Sequence, residues 1–169
     1  MQAVRLRDIQ RFKKTRAGLI EFACILEQSH PKVREKILEE VGQLDPSFLR
    51  MALRKVVFFE ELVFLDESCL AEILTQASPK ILAFALVHSD ESFKTKVMGT
   101  LGYRKMRQVM DEQEKMGTPD SNEVLGAQIQ VLKIGRELEA KNKFIFELLD
   151  CPRFKKATPR KHLRLVDKK

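Results

Sequence analysis

The residues best placed to do chemistry form a row of charges within residues 103–116. Arg104, Arg107 and Asp111 recur at steps of three and four residues, and Lys115 follows Asp111 by four. On a helix these steps place the side chains on one face. Such a row can bind a complementary row on a partner, because the signs fix the orientation. The alternative is a solvated helix face whose ion pairs contribute only ~0.3–0.5 kcal/mol each. The residues by themselves leave both interpretations open.

Four consecutive apolar residues form a second candidate site. They are Val56, Val57, Phe58 and Phe59. Aromatic and β-branched side chains between two helical units can pack in two alternative ways, which predicts a hinge. A buried connector is the alternative. Glu60 and Glu61 follow directly, but neighbouring residues on a helix point ~100° apart. They therefore cannot face each other as a general acid and base.

Positive charge is concentrated at the two ends of the chain. Residues 1–16 carry six basic residues and one acid, residues 151–169 carry eight and one, and residues 17–150 carry 17 and 22. The C-terminal basic cluster consists of Arg153, Lys155, Lys156, Arg160, Lys161, Arg164, Lys168 and Lys169. It would attract nucleic acid or anionic lipid at the inner face of the cell membrane. However, Phe154 is its only aromatic residue for base stacking. We therefore expect the cluster to be a flexible end that keeps the protein in solution, and we keep polyanion binding as the alternative.

The sequence offers few groups for catalysis, cofactors or metal binding. Its three cysteines and three histidines are scattered, without CxxC, HxxxH or HExxH spacing. The segment from Gly99 to Gly102 lacks the lysine of a phosphate-binding loop. No apolar run approaches the ~18 residues of a spanning helix, and the N-terminus lacks the apolar core of a secretion signal. We therefore expect a cytoplasmic, non-enzymatic protein that needs no cofactor or metal and acts by binding partners.

Helix signals recur along almost the whole chain and predict an all-α fold. Apolar residues repeat at steps of three and four, and the pairs His30-Pro31, Asp45-Pro46 and Ser78-Pro79 are typical helix starts. We expect helices near 1–16, 19–26, 33–41, from 46 onward, 70–74, 81–87, 91–101, 103–116 and 120–140, with a last turn in 144–149. The β-prone run 56–59 is too short to build a sheet. Many short helices with tight turns indicate a superhelical stack or an irregular bundle.

Three segments resemble the C-terminal part of the flagellar rotor protein family FliG. Ala17-Gly18 falls at the family's paired-glycine linker, and AGLIEFACIL (17–26) is similar to the first helix of its C-terminal armadillo unit. ILEEVGQLDPSFLRMALRKVVFFEELVFLDE (37–67) is similar to a helix, an Asp-Pro turn and the Met-Phe-x-Phe hinge, from which Val56 and Val57 depart. ILAFALVHSDESFKTKVMGTLGYRKMRQVMDEQEKMGTP (81–119) is similar to the terminal six-helix region.

The resemblance implies partners in a flagellar motor. It implies a charged ridge that receives a loop of a MotA-like stator protein and an armadillo groove that faces a FliM-like switch protein. It also implies self-association through armadillo stacking. Arg104, Asp111 and Glu112 match the ridge, whereas Val87 and Asp120 stand where the family carries basic residues.

The resemblance also implies the domain organisation. We expect an N-terminal charged helix (1–16), an armadillo-like helical stack (17–65), a compact C-terminal helical bundle (66–147) and a basic flexible tail (148–169). The family's N-terminal domain has no counterpart in this sequence, so we expect a truncated or stand-alone paralogue.

Overall fold

A computed structural model describes residues 6–146, and all regular structure within that range is helical. The helices are α1 Leu6–Lys13, α2 Arg16–Gln28, α3 Pro31–Leu44, α4 Pro46–Leu53, a 3-10 helix Phe59–Phe64, α5 Glu67–Gln76, α6 Pro79–Ala85, α7 Glu91–Thr100, α8 Tyr103–Lys115 and α9 Ser121–Ala140. The all-α prediction is confirmed. None of the described helices is long and apolar enough to cross a membrane.

Short-range capping contacts explain where the helices begin. The Asp45 carboxylate accepts a hydrogen bond from the Phe48 amide at 2.9 Å, and the Asp90 carboxylate accepts one from the Phe93 amide at 2.8 Å. Each contact satisfies an amide that has no partner inside its helix. Pro31, Pro46 and Pro79 occupy first-turn positions, where their missing N–H groups cost nothing. The predicted starts at these prolines are confirmed.

The apolar side chains form two hydrophobic cores. The first core is built from helices α1 to α4 and from Val56, which follows them. Its buried residues are Ile9, Phe22, Ala23, Leu26, Val41, Phe48, Ala52 and Val56. The second core begins at Val57 and runs through the 3-10 helix and α5–α9 to Phe146. The two cores therefore divide between consecutive residues, Val56 and Val57.

Helix α1 packs directly on the first core. Ile9 is buried, and the rings of Phe12 and Phe22 lie 5.5 Å apart between centroids. Gly18, at the position of the family's linker, lies inside α2 close to the backbone of Phe12. Within the described residues, the predicted charged helix 1–16 contains the eight-residue helix α1, which is part of the first core.

The most apolar segment, residues 48–65, does not form one helix. Helix α4 ends at Leu53, the chain is irregular through residues 54–58, and a 3-10 helix follows. Lys96 on α7 donates hydrogen bonds to the carbonyl oxygens of Val63 and Leu65, the latter at 3.0 Å. These bonds satisfy carbonyl groups at the end of the 3-10 helix, which has no following turn to accept them. The predicted last turn in 144–149 lies partly outside the described residues.

Candidate functional site

Helix α8 carries the charged row, and its inner side is fixed to the second core. Val109 is fully buried and Met106 packs against the same core. The Lys105 ammonium donates a hydrogen bond to the Thr75 carbonyl at 2.7 Å, and partial burial lowers the pKa of Lys105. These inward contacts determine which face of α8 points to solvent.

The outward face of α8 presents the predicted charges. Arg104, Arg107, Asp111 and Lys115 fall within an arc of ~80° around the helix axis, and all four are exposed. We call these four residues the ridge. Within residues 6–146, no ion pair or side-chain hydrogen bond engages Arg104, Arg107 or Asp111, so these three groups are available to a partner.

Glu112 lies beside the ridge and not on it. It is half-buried, and one of its carboxylate oxygens is 3.9 Å from the Lys115 ammonium. At that separation, with Lys115 largely exposed, the pair contributes little to stability. The structure thus places the ridge and Glu112 on one helix, with Glu112 on its flank.

The first turn of α8 carries charges that oppose the helix dipole, whereas Lys115 in the last turn agrees with it. Arg104 and Lys105 lie in the first turn, which contains no acid, and the acidic residues Asp111, Glu112 and Glu114 lie toward the C-terminal end. A helix is stabilised by the reverse order, with acids near its positive N-terminus. A locally unfavourable arrangement is expected where a surface serves a function besides stability. Helix stability by itself therefore does not account for the basic residues in the first turn of α8.

Two apolar side chains are exposed next to the ridge. Tyr103 is 73% exposed and Met110 is 42% exposed. They lie seven residues apart and so occupy the same flank of the helix, alongside Arg107. Aromatic, methionine and arginine side chains together are typical of protein–protein interfaces. The exposed face of α8 thus carries both charged groups and apolar area.

The hinge segment, residues 56–59, contributes side chains to both cores. The side chains alternate, because Val56 and Phe58 pack against the first core whereas Val57 and Phe59 pack against the second. Extended backbone points successive side chains to opposite sides, and Phe58 has extended dihedral angles. The hinge segment is thus inserted between the cores.

Aromatic contacts fix the hinge segment on both sides. The Arg34 guanidinium lies 5.0 Å from the Phe58 ring centroid, and the Phe59 ring meets Phe93 edge-on at 5.2 Å. Glu61 accepts a hydrogen bond from the Phe58 amide at 2.9 Å. Through this hydrogen bond, Glu61 fixes the backbone at Phe58.

A buried ion network spans the cores beside the hinge segment. Arg136 on α9 donates to both carboxylate oxygens of Glu27 on α2, from Nη2 to Oε1 at 2.5 Å and from Nε to Oε2 at 3.2 Å. Its Nη1 donates to Glu139 at 2.6 Å, and its Nη2 also donates to the Lys55 carbonyl. Glu27 Oε1 in addition accepts the Val57 amide at 2.8 Å. We call Glu27, Arg136 and Glu139 the latch.

Electrostatics favour the charged state of the latch. Burial alone lowers the pKa of Arg136, but hydrogen bonds and charge interactions with Glu27, followed by those with Glu139, outweigh it and raise that pKa. The side chain of Glu27 is only 2% exposed. An isolated buried carboxylate would be strongly unfavourable, so Glu27 depends on Arg136.

Sequence analysis missed the latch residues. Glu27 follows Ala23 by four residues and so continues the apolar stripe of α2. This position was the one feature of the sequence that indicated a buried carboxylate. A carboxylate on such a stripe needs a buried partner, but its partner lies 109 residues away.

Other predicted features are not described by the structure. The C-terminal basic cluster falls outside the described residues. Within residues 6–146, no group of histidine, cysteine and acidic side chains is arranged to hold a metal ion.

Comparison with known proteins identifies relatives of this chain. The family model described as the FliG C-terminal domain matches residues 39–146. The flagellar motor switch protein FliG of Aquifex aeolicus is 28% identical over 121 residues, which cover 72% of this chain and 37% of that protein. The FliG protein of Thermotoga maritima is 26% identical over 122 residues, which cover 72% of this chain and 36% of that protein.

Solved structures show the same fold. A crystal structure of residues 86–343 of FliG from Helicobacter pylori has a TM-score of 0.58 at 24% identity, covering 79% of this chain and 63% of that one. A second, of residues 116–343, has a TM-score of 0.54 at 25% identity, covering 76% and 56%. The chain spans a little over a third of the length of the curated relatives named above.

Proposed function

Because the chain belongs to the FliG C-terminal domain family, we propose that it is a non-enzymatic protein–protein interaction component of a flagellar rotor or switch. Its relatives are named flagellar motor switch proteins. The proposed location is the cytoplasm, with peripheral association at the inner face of the cell membrane.

The observation that carries this proposal is the ridge. Arg104, Arg107 and Asp111 are exposed and without partners among the described residues, on a helix whose rotation is fixed by Val109 and Lys105. A rigid helix that presents charges in a fixed order can select a partner of complementary order, because a wrong register places like charges together. We propose that the ridge receives a charged cytoplasmic loop of a MotA-like stator protein.

The finer partner assignments follow from the same proposal. The armadillo-like unit, proposed as residues 17–65, would bind a FliM-like switch protein and could also stack on a second copy of the chain. The helical bundle, proposed as residues 66–147, would carry the ridge. The hinge segment, residues 56–59, falls inside the first of these units, and Phe59, Leu62 and Leu65 pack with the second core. The proposed movement at the hinge segment would therefore occur between the two cores.

The ridge proposal is tested with purified full-length chain and detergent extract of host membranes. The tagged wild-type chain should retain stator and switch proteins, identified by mass spectrometry. Arg104→Asp and Asp111→Arg should each abolish retention of the stator protein. The double variant should not recover it, because both reversed charges would face like charges on the unchanged partner.

The matched control is Lys133→Asp, which makes the same charge change at an exposed position of α9 away from the ridge. It should retain the stator protein like the wild type. If Arg104→Asp and Lys133→Asp behave alike, or if no rotor or stator protein is retained by the wild type, the ridge is not the docking surface.

The basic ends support a second function, as an adaptor for nucleic acid or anionic membrane. Part of the N-terminal charge is already engaged, because Arg11 pairs with Glu21 and Lys13 pairs with Asp45 at 2.8 Å. This leaves the C-terminal cluster, Arg153 to Lys169, as the main polyanion-binding candidate. A chain lacking residues 151–169 should then lose binding to RNA or anionic vesicles, and wild-type binding should fall steeply with added salt.

A further inference from the structure

We propose that Arg136 controls the hinge segment, and that the latch holds the two cores in one relative orientation until the guanidinium is released. The proposal concerns contacts inside the chain. It therefore stands or falls separately from the binding of any partner at the ridge.

The position of Arg136 is the first argument. Its guanidinium contacts the Glu27 carboxylate on α2 and the Lys55 carbonyl immediately before the hinge segment. Glu27 in turn accepts the Val57 amide, within the hinge segment, at 2.8 Å. One side chain of the second core thus restrains both the chain entering the hinge segment and the helix that packs beside it.

The burial of the latch is the second argument. Phe146 covers the guanidinium at 4.9 Å from its ring centroid, and its amide donates to Glu139 at 3.0 Å. Gly135 allows this close cover, because a Cβ atom there would stand 2.7 Å from the Phe146 ring. Water is therefore kept from groups that would otherwise be solvated. Charges in such a place are favourable only while every partner is present.

The physical consequence is a joint with two defined states. With all partners in place, the latch satisfies its charges and the hinge segment stays inserted between the cores. When Arg136 is lost or displaced, the buried carboxylates of Glu27 and Glu139 both lose their ion-pair partner. Arg34, which interacts with Glu27 through charge alone, does not replace the hydrogen bonds of the guanidinium. Buried carboxylates in this state are relieved by taking up a proton or by contact with water. In this proposal the second route operates, and α2 separates from α9 to admit water. Each core keeps its own apolar packing, so opening does not require unfolding.

Hydrogen exchange measured by NMR tests the local part of this proposal. Arg136→Met keeps much of the apolar stem of the side chain. The exchange rate of the Val57 amide, relative to the wild type, should rise by a factor at least ten times larger than the factors for the Val41 and Val131 amides. Those two residues are buried in the first and second core. Arg136→Lys keeps a charge but loses the planar fork that spans Glu27 and Lys55. It should show the same selective effect to a smaller degree.

Residual dipolar couplings test the orientation of the cores in the same samples. Couplings from both cores should fit one alignment tensor in the wild type, and two different tensors in Arg136→Met. Lys13→Met is the matched control, because it breaks an ion pair between α1 and Asp45 within the first core. It should leave a single tensor and unselective exchange.

Two results would overturn the proposal. One is equal acceleration of Val57, Val41 and Val131 in both Arg136 variants, which would mean that only global stability had changed. The other is a single, unchanged alignment tensor in folded Arg136→Met. If Arg136→Met does not fold cooperatively, the same two readouts on Arg136→Lys decide the matter.

Discussion

Gly18 lies against the backbone of Phe12, and a Cβ atom at position 18 would stand 2.5 Å from the Phe12 carbonyl oxygen and 2.9 Å from its Cα. This close approach allows α1 to pack on α2, with the Phe12 ring beside Phe22. The absence of a side chain at Gly18 is therefore a packing requirement within a helix, at the position where the family carries its linker.

Gly18→Ala should separate α1 from α2. Because the obstructing atoms belong to the backbone, we expect the free energy of unfolding to fall by about 1–3 kcal/mol. Urea denaturation monitored by circular dichroism measures this change. The matched control is Gly126→Ala in α9, where a Cβ atom would meet nothing within 4 Å. That variant should be stabilised by about 1 kcal/mol through helix propensity, and destabilisation of both variants would contradict the packing argument.

Asp45 should make stability depend on pH in the acid range. The hydrogen bond from Lys13, followed by those from the Phe48 amide and the Ser47 hydroxyl, lowers the pKa of the Asp45 carboxyl group. A carboxyl pKa that is lower in the folded state stabilises the protein at pH values above the ordinary pKa of about 4. That contribution is lost as the pH falls through the ordinary pKa toward the lowered one.

The corresponding experiment compares Asp45→Asn with the wild type by urea unfolding across pH. The wild type should be more stable at pH 7, and the difference should narrow between about pH 5 and pH 2. Asp66→Asn serves as the control, because Asp66 also precedes a helix but makes no side-chain capping bond. A difference for Asp45→Asn that does not change with pH would show that its charge is not involved.

A double-mutant cycle should reveal strong coupling between Glu27 and Arg136. Arg136→Met alone leaves Glu27 buried and unpaired, and we expect it to lower the free energy of unfolding by ~3–5 kcal/mol. Glu27→Gln keeps an acceptor for the Val57 amide. In the double variant the charge at position 27 is gone, although Glu139 still lacks its ion-pair partner. The loss in the double variant should therefore be smaller than the sum of the single losses, by ~0.5–3 kcal/mol. Additive losses would argue that the two side chains act independently.

Arg104→Asp should weaken partner binding without lowering the free energy of unfolding. The substitution removes a ridge charge that we propose contacts a partner, yet it places an acid in the first turn of α8. Because acids are favourable near a helix N-terminus, we expect the free energy of unfolding to rise by ~0.3–1 kcal/mol. Thermal and urea denaturation measure this. Lys133→Asp, in the middle of α9, should change stability by less than ~0.5 kcal/mol. A large loss of stability in Arg104→Asp would mean that the residue supports the fold.

The sequence by itself determined most of the helix starts and the alignment of the ridge charges along one face of α8, because both depend on contacts within a few residues. That this face is exposed depends on the non-local contacts of Val109 and Lys105. An Asp-Pro or Ser-Pro pair caps the helix that it begins, and steps of three and four place Arg104, Arg107 and Asp111 on one face. The division of the chain into two cores at Val56 and Val57 was not in those patterns. It arises because an extended segment happens to lie between two helical units, and its side chains alternate between them.

Only the tertiary structure decided the partners of isolated charges. Glu27 continues the apolar stripe of α2, but nothing in the sequence identifies Arg136 as its partner. Their pairing depends on how α2 and α9 approach across 109 residues. The same holds for Gly18, whose role depends on the distance to the Phe12 backbone. Local patterns specify which face of a helix is apolar. The partner of a buried charge, and the need for a glycine at a close approach, are set by the packing of elements that lie far apart in the chain.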